Sequence, residues 1–201
     1  AAFVATRAKF RPSDATSFGF VATRGGAAAQ DTSLFGFDVT QKIGEHQVEA
    51  WLQQSLGSSD QAEMESDSSA IGASLGGDLF GLRYAVGWRR IGDGFESGLG
   101  ATGVRGSHAM LGRIDGGIAL ESIPFLQRWE FGLQARVDTD LELDPNAVDF
   151  DIDAIRLVAT TGDRIEFGLR QAKRIRTKEF VETETEMETH ERYRIGISSN
   201  P

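Results

Sequence analysis

The chain has 201 residues, with 24 Gly, 4 Pro and no Cys, and carries a formal net charge of −9. The missing Cys excludes disulfides, thiolate metal sites and cysteine nucleophiles, and the acidic balance argues against a nucleic-acid partner, which needs a basic footprint. No run of about 18 apolar residues occurs, so no transmembrane helix is expected.

In chain order, 2–10 (AFVATRAKF) reads as a first strand and Arg11-Pro12-Ser13-Asp14 as a turn. A second strand covers 17–24, and FVATR occurs at both Phe3–Arg7 and Phe20–Arg24. Strands at 34–43 and 47–56 flank Gly44-Glu45-His46, a hairpin turn. The polar, acidic stretch 57–67 reads as a long loop. Strands at 69–75 and 79–90 flank Gly76-Gly77-Asp78, and the Gly-rich 92–107 reads as a second long loop. Strands at 108–120 and 127–139 flank a corner at Ser122-Ile123-Pro124. Asp144-Pro145-Asn146 reads as a turn, Thr161-Gly162-Asp163 joins strands at 147–160 and 164–178, and the last strand lies near 184–198.

The segment 79–92 (LFGLRYAVGWRRIG) carries the strongest pattern. Phe80, Leu82, Tyr84, Val86 and Trp88 share one parity, and Arg83 and Arg89 share the other. A strand sends successive side chains to opposite faces, so this strand has one apolar face and one small or cationic face. Trp129, Phe131 and Leu133 repeat the apolar parity, with Glu130, Gln134 and Arg136 opposite. About eleven strands of 9–11 residues, joined alternately by short and long connections, match the pattern of an all-β, antiparallel up-and-down transmembrane β-barrel, or part of one, of about 10–12 strands. Eleven is odd, whereas bacterial single-chain barrels use even numbers. Either the true count differs by one or strands are missing, and the chain is read as one β-barrel domain over 1–201 and a fragment of a longer protein.

SFGFVATRGG (17–26), FGFDVTQKIGEHQVEAWLQQS (35–55) and YAVGWRRIGDGFESGLG (84–100) occur in this order. The ordered set resembles the C-terminal membrane-associated region of a large bacterial family of unassigned function. Members of that family typically carry an N-terminal β-sandwich, similar to carbohydrate-binding modules, ahead of an outer-membrane β-barrel. The resemblance covers 3–100 and, more loosely, 160–175. It implies a barrel in the outer membrane of a Gram-negative bacterium. The sandwich is absent here, so no carbohydrate-binding role is carried over, and the family supplies no catalytic residues.

Other chemistry was weighed along the chain. Gly98-Leu99-Gly100-Ala101-Thr102-Gly103 matches GxGxxG by letter, but no helix pattern follows to receive a pyrophosphate. Asp149, Asp151 and Asp153 share one strand face and, with Asp144, offer oxygen ligands for a hard cation. The EF-hand spacing fails at Ala154 and Thr160, so an acidic lumen wall is preferred. Beyond Ala154 the apolar parity switches, which calls for a bulge or for the strand to leave the membrane. The basic and acidic runs of 173–191 read as a solvated hairpin extension. His46, His108 and His190 all fall in expected turns or loops, and Ser107 beside His108 lacks a nucleophile elbow.

The expectation is a non-enzymatic outer-membrane barrel acting as a membrane scaffold or small-solute passage. Arg83, Arg89, Glu130, Gln134 and Arg136 face the lumen. Phe80, Leu82, Tyr84, Val86, Trp88, Trp129, Phe131 and Leu133 face lipid. No catalytic residue, metal or cofactor is expected; the partners are outer-membrane lipid and other cell-envelope proteins. The competing readings are a barrel subunit of a larger cell-surface assembly recognised through the loops 57–67 and 92–107, an outer-membrane hydrolase, and a soluble β-barrel binding protein. The soluble form would bury the aromatic parity, the reverse of the membrane case.

Overall fold

The computed structural model describes residues 4–25, 32–57, 66–96, 105–177 and 185–199, with backbone alone for 174–177 and 185–187. It contains β1 (Val4–Phe10), β2 (Thr16–Arg24), β3 (Ser33–Ile43), β4 (His46–Leu56), β5 (Ser69–Leu79) and β6 (Leu82–Ile91). β7 (Ser107–Ala119), β8 (Leu126–Asp140), β9 (Pro145–Ala159), β10 (Arg164–Thr177) and β11 (Thr185–Ser198) follow. All eleven belong to one antiparallel up-and-down sheet whose spatial order is the chain order.

The sheet is not closed: of the expected barrel, or part of one, the eleven-stranded antiparallel up-and-down sheet is present. β1 and β11 are its two ends. The reason is one of direction. With every neighbour antiparallel, the first and eleventh strands run the same way, and a direct seam between them would be a parallel pair in an otherwise antiparallel sheet.

Period-two patterning sets the two faces. Register places Phe20 opposite Phe37 and Phe18 opposite Val39, while Gly19 meets Asp38 and Val21 meets Gly36. The Phe20 and Phe37 rings pack at a centroid distance of 5.1 Å on the apolar face. That face is open: Phe37 is 61% exposed, Val86 57% and Ile197 80%.

The chain divides into two compact units. Unit 1 comprises Ala1–Gly76, Gly87–Ala109 and Thr139–Asp144; unit 2 comprises Gly77–Val86, Met110–Asp138 and Pro145–Pro201. In unit 1, Leu34, Ala70, Ile91 and Phe95 form a buried cluster, with Val21 and Trp51 packed against it. Asp38 lies opposite Trp51 and shares the parity of Leu34. The cluster therefore occupies the face opposite to Phe20 and Phe37. Phe95 follows β6 and is 1% exposed.

Two expected turns move. The turn after β5 is not at Gly76-Gly77-Asp78; both glycines lie inside β5. The chain turns at Phe80-Gly81, where φ is +55° and +80°. Two positive φ values are what a two-residue hairpin of right-handed twist requires, and glycine supplies the second without strain. The Asp78 carboxylate accepts the Gly81 N–H at 3.1 Å. Phe80, a lipid-facing candidate on β6, is therefore a turn residue and almost wholly exposed. The turn before β9 falls at 141–144 instead of Asp144-Pro145-Asn146, because Asp140 accepts the N–H groups of Glu142 at 2.9 Å and Asp144 at 2.8 Å. Pro145 opens β9. Finally, His46, His108 and His190 lie in β4, β7 and β11, not in loops.

Of the two ways to accommodate the parity switch beyond Ala154, a bulge is present. Phe167 pairs with Ile155 and Leu169 with Ile152, so three residues of β9 span two of β10. The apolar parity can switch there without turning Ile155 away from Phe167.

Candidate functional site

Unit 2 carries a charged face. It begins on β6, where Arg83 Nη2 meets Asp115 Oδ2 of β7 at 2.6 Å. Arg113 Nε reaches the other oxygen of Asp115 at 2.9 Å. On β8, Arg128 Nε lies 2.6 Å from Glu130 Oε1. Arg156 of β9 then bridges three carboxylates: Glu130 at 3.6 Å, Asp153 at 3.5 Å and Glu166 of β10 at 3.5 Å. Arg194 of β11 bonds Asp153 and approaches Glu166 at 4.0 Å. Ion pairs thus join β6 to β7 and, as a second set, β8 to β9, β9 to β10 and β10 to β11.

The β9 bulge makes this possible. Asp153 and Arg156 are an odd number of residues apart and would face opposite ways on a regular strand. The extra residue brings both to the charged face. Ala154, at the bulge, offers its carbonyl to the indole N–H of Trp129 at 3.2 Å. A second row lies further along, where Arg170 Nε donates to Asp149 Oδ1 at 3.1 Å and Arg136 Nε to Asp138 Oδ2 at 2.9 Å. The aspartates weighed as cation ligands thus hold guanidiniums at Asp149 and Asp153.

A cavity of about 550 Å³ opens on the first row. Its lining includes four carboxylates, Asp78, Asp115, Glu130 and Asp153, and four guanidiniums, Arg83, Arg113, Arg128 and Arg156. The carboxylates are the more sheltered partners: Asp115 and Glu130 side chains are 17% and 22% exposed. Opposite charges held in fixed positions produce a field across the cavity instead of a net charge within it. Such a surface favours polar and zwitterionic solutes over apolar ones.

The structure brings Arg83 and Glu130 together in this cavity. Gln134 and Arg136 share the parity of Glu130 on β8, and Arg136 pairs within its own strand to Asp138. Arg89 lies apart in unit 1, half-buried on β6. Of the lipid-facing candidates, Leu82, Tyr84, Val86 and Trp88 share the apolar parity of β6, as Trp129, Phe131 and Leu133 do on β8. Phe131 also borders the cavity. The Trp88 indole N–H donates to His108 Nδ1 at 3.2 Å, with the rings stacked at 5.8 Å. His108 therefore sits with the aromatic face while Ser107 is buried. Adjacent strand residues point oppositely, so the two do not form a nucleophile and base.

Sequence reasoning missed Arg113, Arg128, Arg156, Glu166 and Arg194. A usable signal existed for part of this set. Arg113/Asp115, Arg128/Glu130 and Arg136/Asp138 each place Arg two residues before an acid, hence on one strand face. The GxGxxG at 98–103 and most of the two long loops lie outside the described residues.

Unit 1 has a separate polar corner. The Asp67 carboxylate accepts the Ser69 hydroxyl at 2.6 Å and the Ser69 N–H at 2.9 Å, and bonds Arg90. Asp93 Oδ1 accepts the N–H groups of Asp67 at 2.8 Å and Gly94 at 2.9 Å. Gly92 is required here, because a Cβ would overlap the Asp67 carbonyl. The Ser69 hydroxyl, and then its N–H and Arg90, hold the Asp67 carboxyl below the usual carboxylate range against the opposing effect of burial. A depressed carboxyl pKa stabilises the fold at neutral pH, and this contribution is lost as pH falls below about 4 through the folded value. Ser69→Ala is expected to cost about 1 kcal/mol at pH 6, discounted for solvent screening at this partly exposed pair. The difference from the parent should shrink toward zero near pH 2, as denaturant unfolding across this range would test.

Comparisons with family models, with curated proteins and with solved structures returned no match.

Proposed function

We propose that this chain forms the wall of an outer-membrane β-barrel and acts as a membrane scaffold with a polar passage for small solutes. The observation that carries this reading is the inverted polarity of the sheet. Large apolar side chains such as Phe37, Val86 and Ile197 lie open on one face, while Asp115 and Glu130 are sheltered on the other. A soluble sheet hides its apolar face; a membrane strand turns it to lipid and points the polar parity inward. Trp88 and Trp129, near the ends of their strands, are amphipathic side chains of the kind that anchor at a membrane interface.

The charged face of unit 2 would line the passage and supply a transverse field. The seam is left to strands beyond the eleven, an odd number of which restores antiparallel neighbours throughout. The resemblance to a bacterial family with an outer-membrane barrel agrees with this reading. No residue is assigned a catalytic role.

Cell fractionation tests the membrane part. Recovery with the outer membrane, extractable only by detergent, is expected; recovery in the soluble fraction without detergent would sink the proposal. Planar-bilayer recording of the full-length protein tests the passage. Glu130→Gln removes one of the four carboxylates of the cavity while keeping its shape. Its reversal potential in a salt gradient should move toward anion preference. An unchanged reversal potential would place the conducting path elsewhere.

A further inference from the structure

β11 is the last strand of the sheet. It pairs with β10 along all fourteen of its residues, from Thr185 to Ser198, and among the described residues no strand pairs with its other side. One row of its backbone N–H and C=O groups is therefore unpaired within the sheet. On its apolar face, Tyr193, Ile195 and Ile197 are among the most exposed large side chains of the molecule. On the membrane reading given above, a free edge cannot stand in hydrocarbon, because no water is there to satisfy its backbone.

The charged face says what kind of strand fits. Arg83, Arg156, Arg170 and Arg194 each meet a carboxylate from a neighbouring strand. Arg192 does not: among the described residues it has no acidic partner, and register sets it directly opposite Arg170. Like charges directly opposite on one sheet face repel. The ion pairing that links β8 to β11 stops at the edge, on a cation with no acidic partner among the described residues.

We propose that the free edge of β11 takes an added strand, antiparallel to it, in which apolar residues alternate with carboxylates, one of them opposite Arg192. The backbone row sets the geometry, and the alternating side chains set the choice. Apolar residues continue the Tyr193–Ile197 face, and acids continue the charged one. A lone phosphate or carboxylate could neutralise Arg192 but would leave the backbone row unpaired. β1 of a second copy is a poor occupant, since its charged parity presents Arg7 and Lys9.

The test uses detergent-folded protein and two short synthetic peptides, one alternating valine with glutamate and the other valine with lysine. Binding is read by fluorescence anisotropy, and β11 amide protection by hydrogen exchange. The glutamate peptide should bind about tenfold more tightly than the lysine peptide, with added protection confined to β11. Arg192→Glu should reverse that order. Equal affinity for both peptides, no protection at β11, or an order unchanged in R192E would overturn the proposal. Inorganic phosphate is run in parallel; competition by phosphate without peptide protection would assign Arg192 to an anion instead. Partition of the same sample between detergent and aqueous phases separates the two readings. Detergent partition without peptide binding rejects the added strand alone, whereas aqueous partition rejects the membrane reading on which it rests.

Discussion

Phe95→Ala is expected to lower the unfolding free energy by about 3–5 kcal/mol, the range for emptying a buried aromatic site. Phe95 is 1% exposed and belongs to a buried cluster of unit 1. Its neighbours have little means of collapsing into the space. Leu34, Ala70 and Ile91 stand on three strands whose spacing is fixed by backbone pairing. The segment carrying it is also tied down: the Glu96 N–H donates to Ser55 Oγ at 2.9 Å, and the Ser55 N–H donates to the Ser68 carbonyl at 2.9 Å. Denaturant unfolding in detergent or lipid would read the loss. A change below about 1 kcal/mol, the ordinary effect of a surface substitution, would mean that Phe95 does not hold this end of β6.

Val86→Arg separates the membrane reading from the soluble one by the size of its effect. Val86 is 57% exposed, so in water the substitution should stay within about 0.5 kcal/mol. At mid-depth in a bilayer, an arginine on the lipid face of a strand costs about 2–4 kcal/mol. Ala85→Arg, one residue away on the charged parity of β6, is the internal control. In lipid vesicles Val86→Arg should be the more destabilising of the two by at least about 2 kcal/mol. Equal effects would show that the two faces of β6 see the same solvent.

Much of the sheet was legible because it depends on period-two patterning, which is local. The alternation at Leu82–Trp88 and Trp129–Leu133 marks strands and fixes which residues share a face, and both segments lie in strands. Turn positions were less legible. Gly76-Gly77 looks like a turn, yet the hairpin forms at Phe80-Gly81, where Asp78 can cap it. Residue type alone did not decide between two glycine sites; side-chain capping did. The charged site was legible one strand at a time. Arg83, Glu130 and Arg136 follow from parity. Their partners depend on register between strands, which no single strand encodes, and on one extra residue in β9. Phe95 was hidden for a different reason: it lies in a Gly-rich stretch that reads as a loop, and its burial arises from contacts with β3, β5 and β6.

The most direct test of the central claim is a cysteine scan along β6. The chain contains no Cys, so each introduced thiol is unique. Fluorescent labels are placed singly at Leu82, Arg83, Tyr84, Ala85 and Val86 in protein reconstituted into lipid vesicles. A lipid-soluble quencher should quench labels at 82, 84 and 86, and an aqueous quencher should quench those at 83 and 85. Uniform aqueous quenching along the strand, or the opposite alternation, would contradict a sheet whose aromatic face meets lipid.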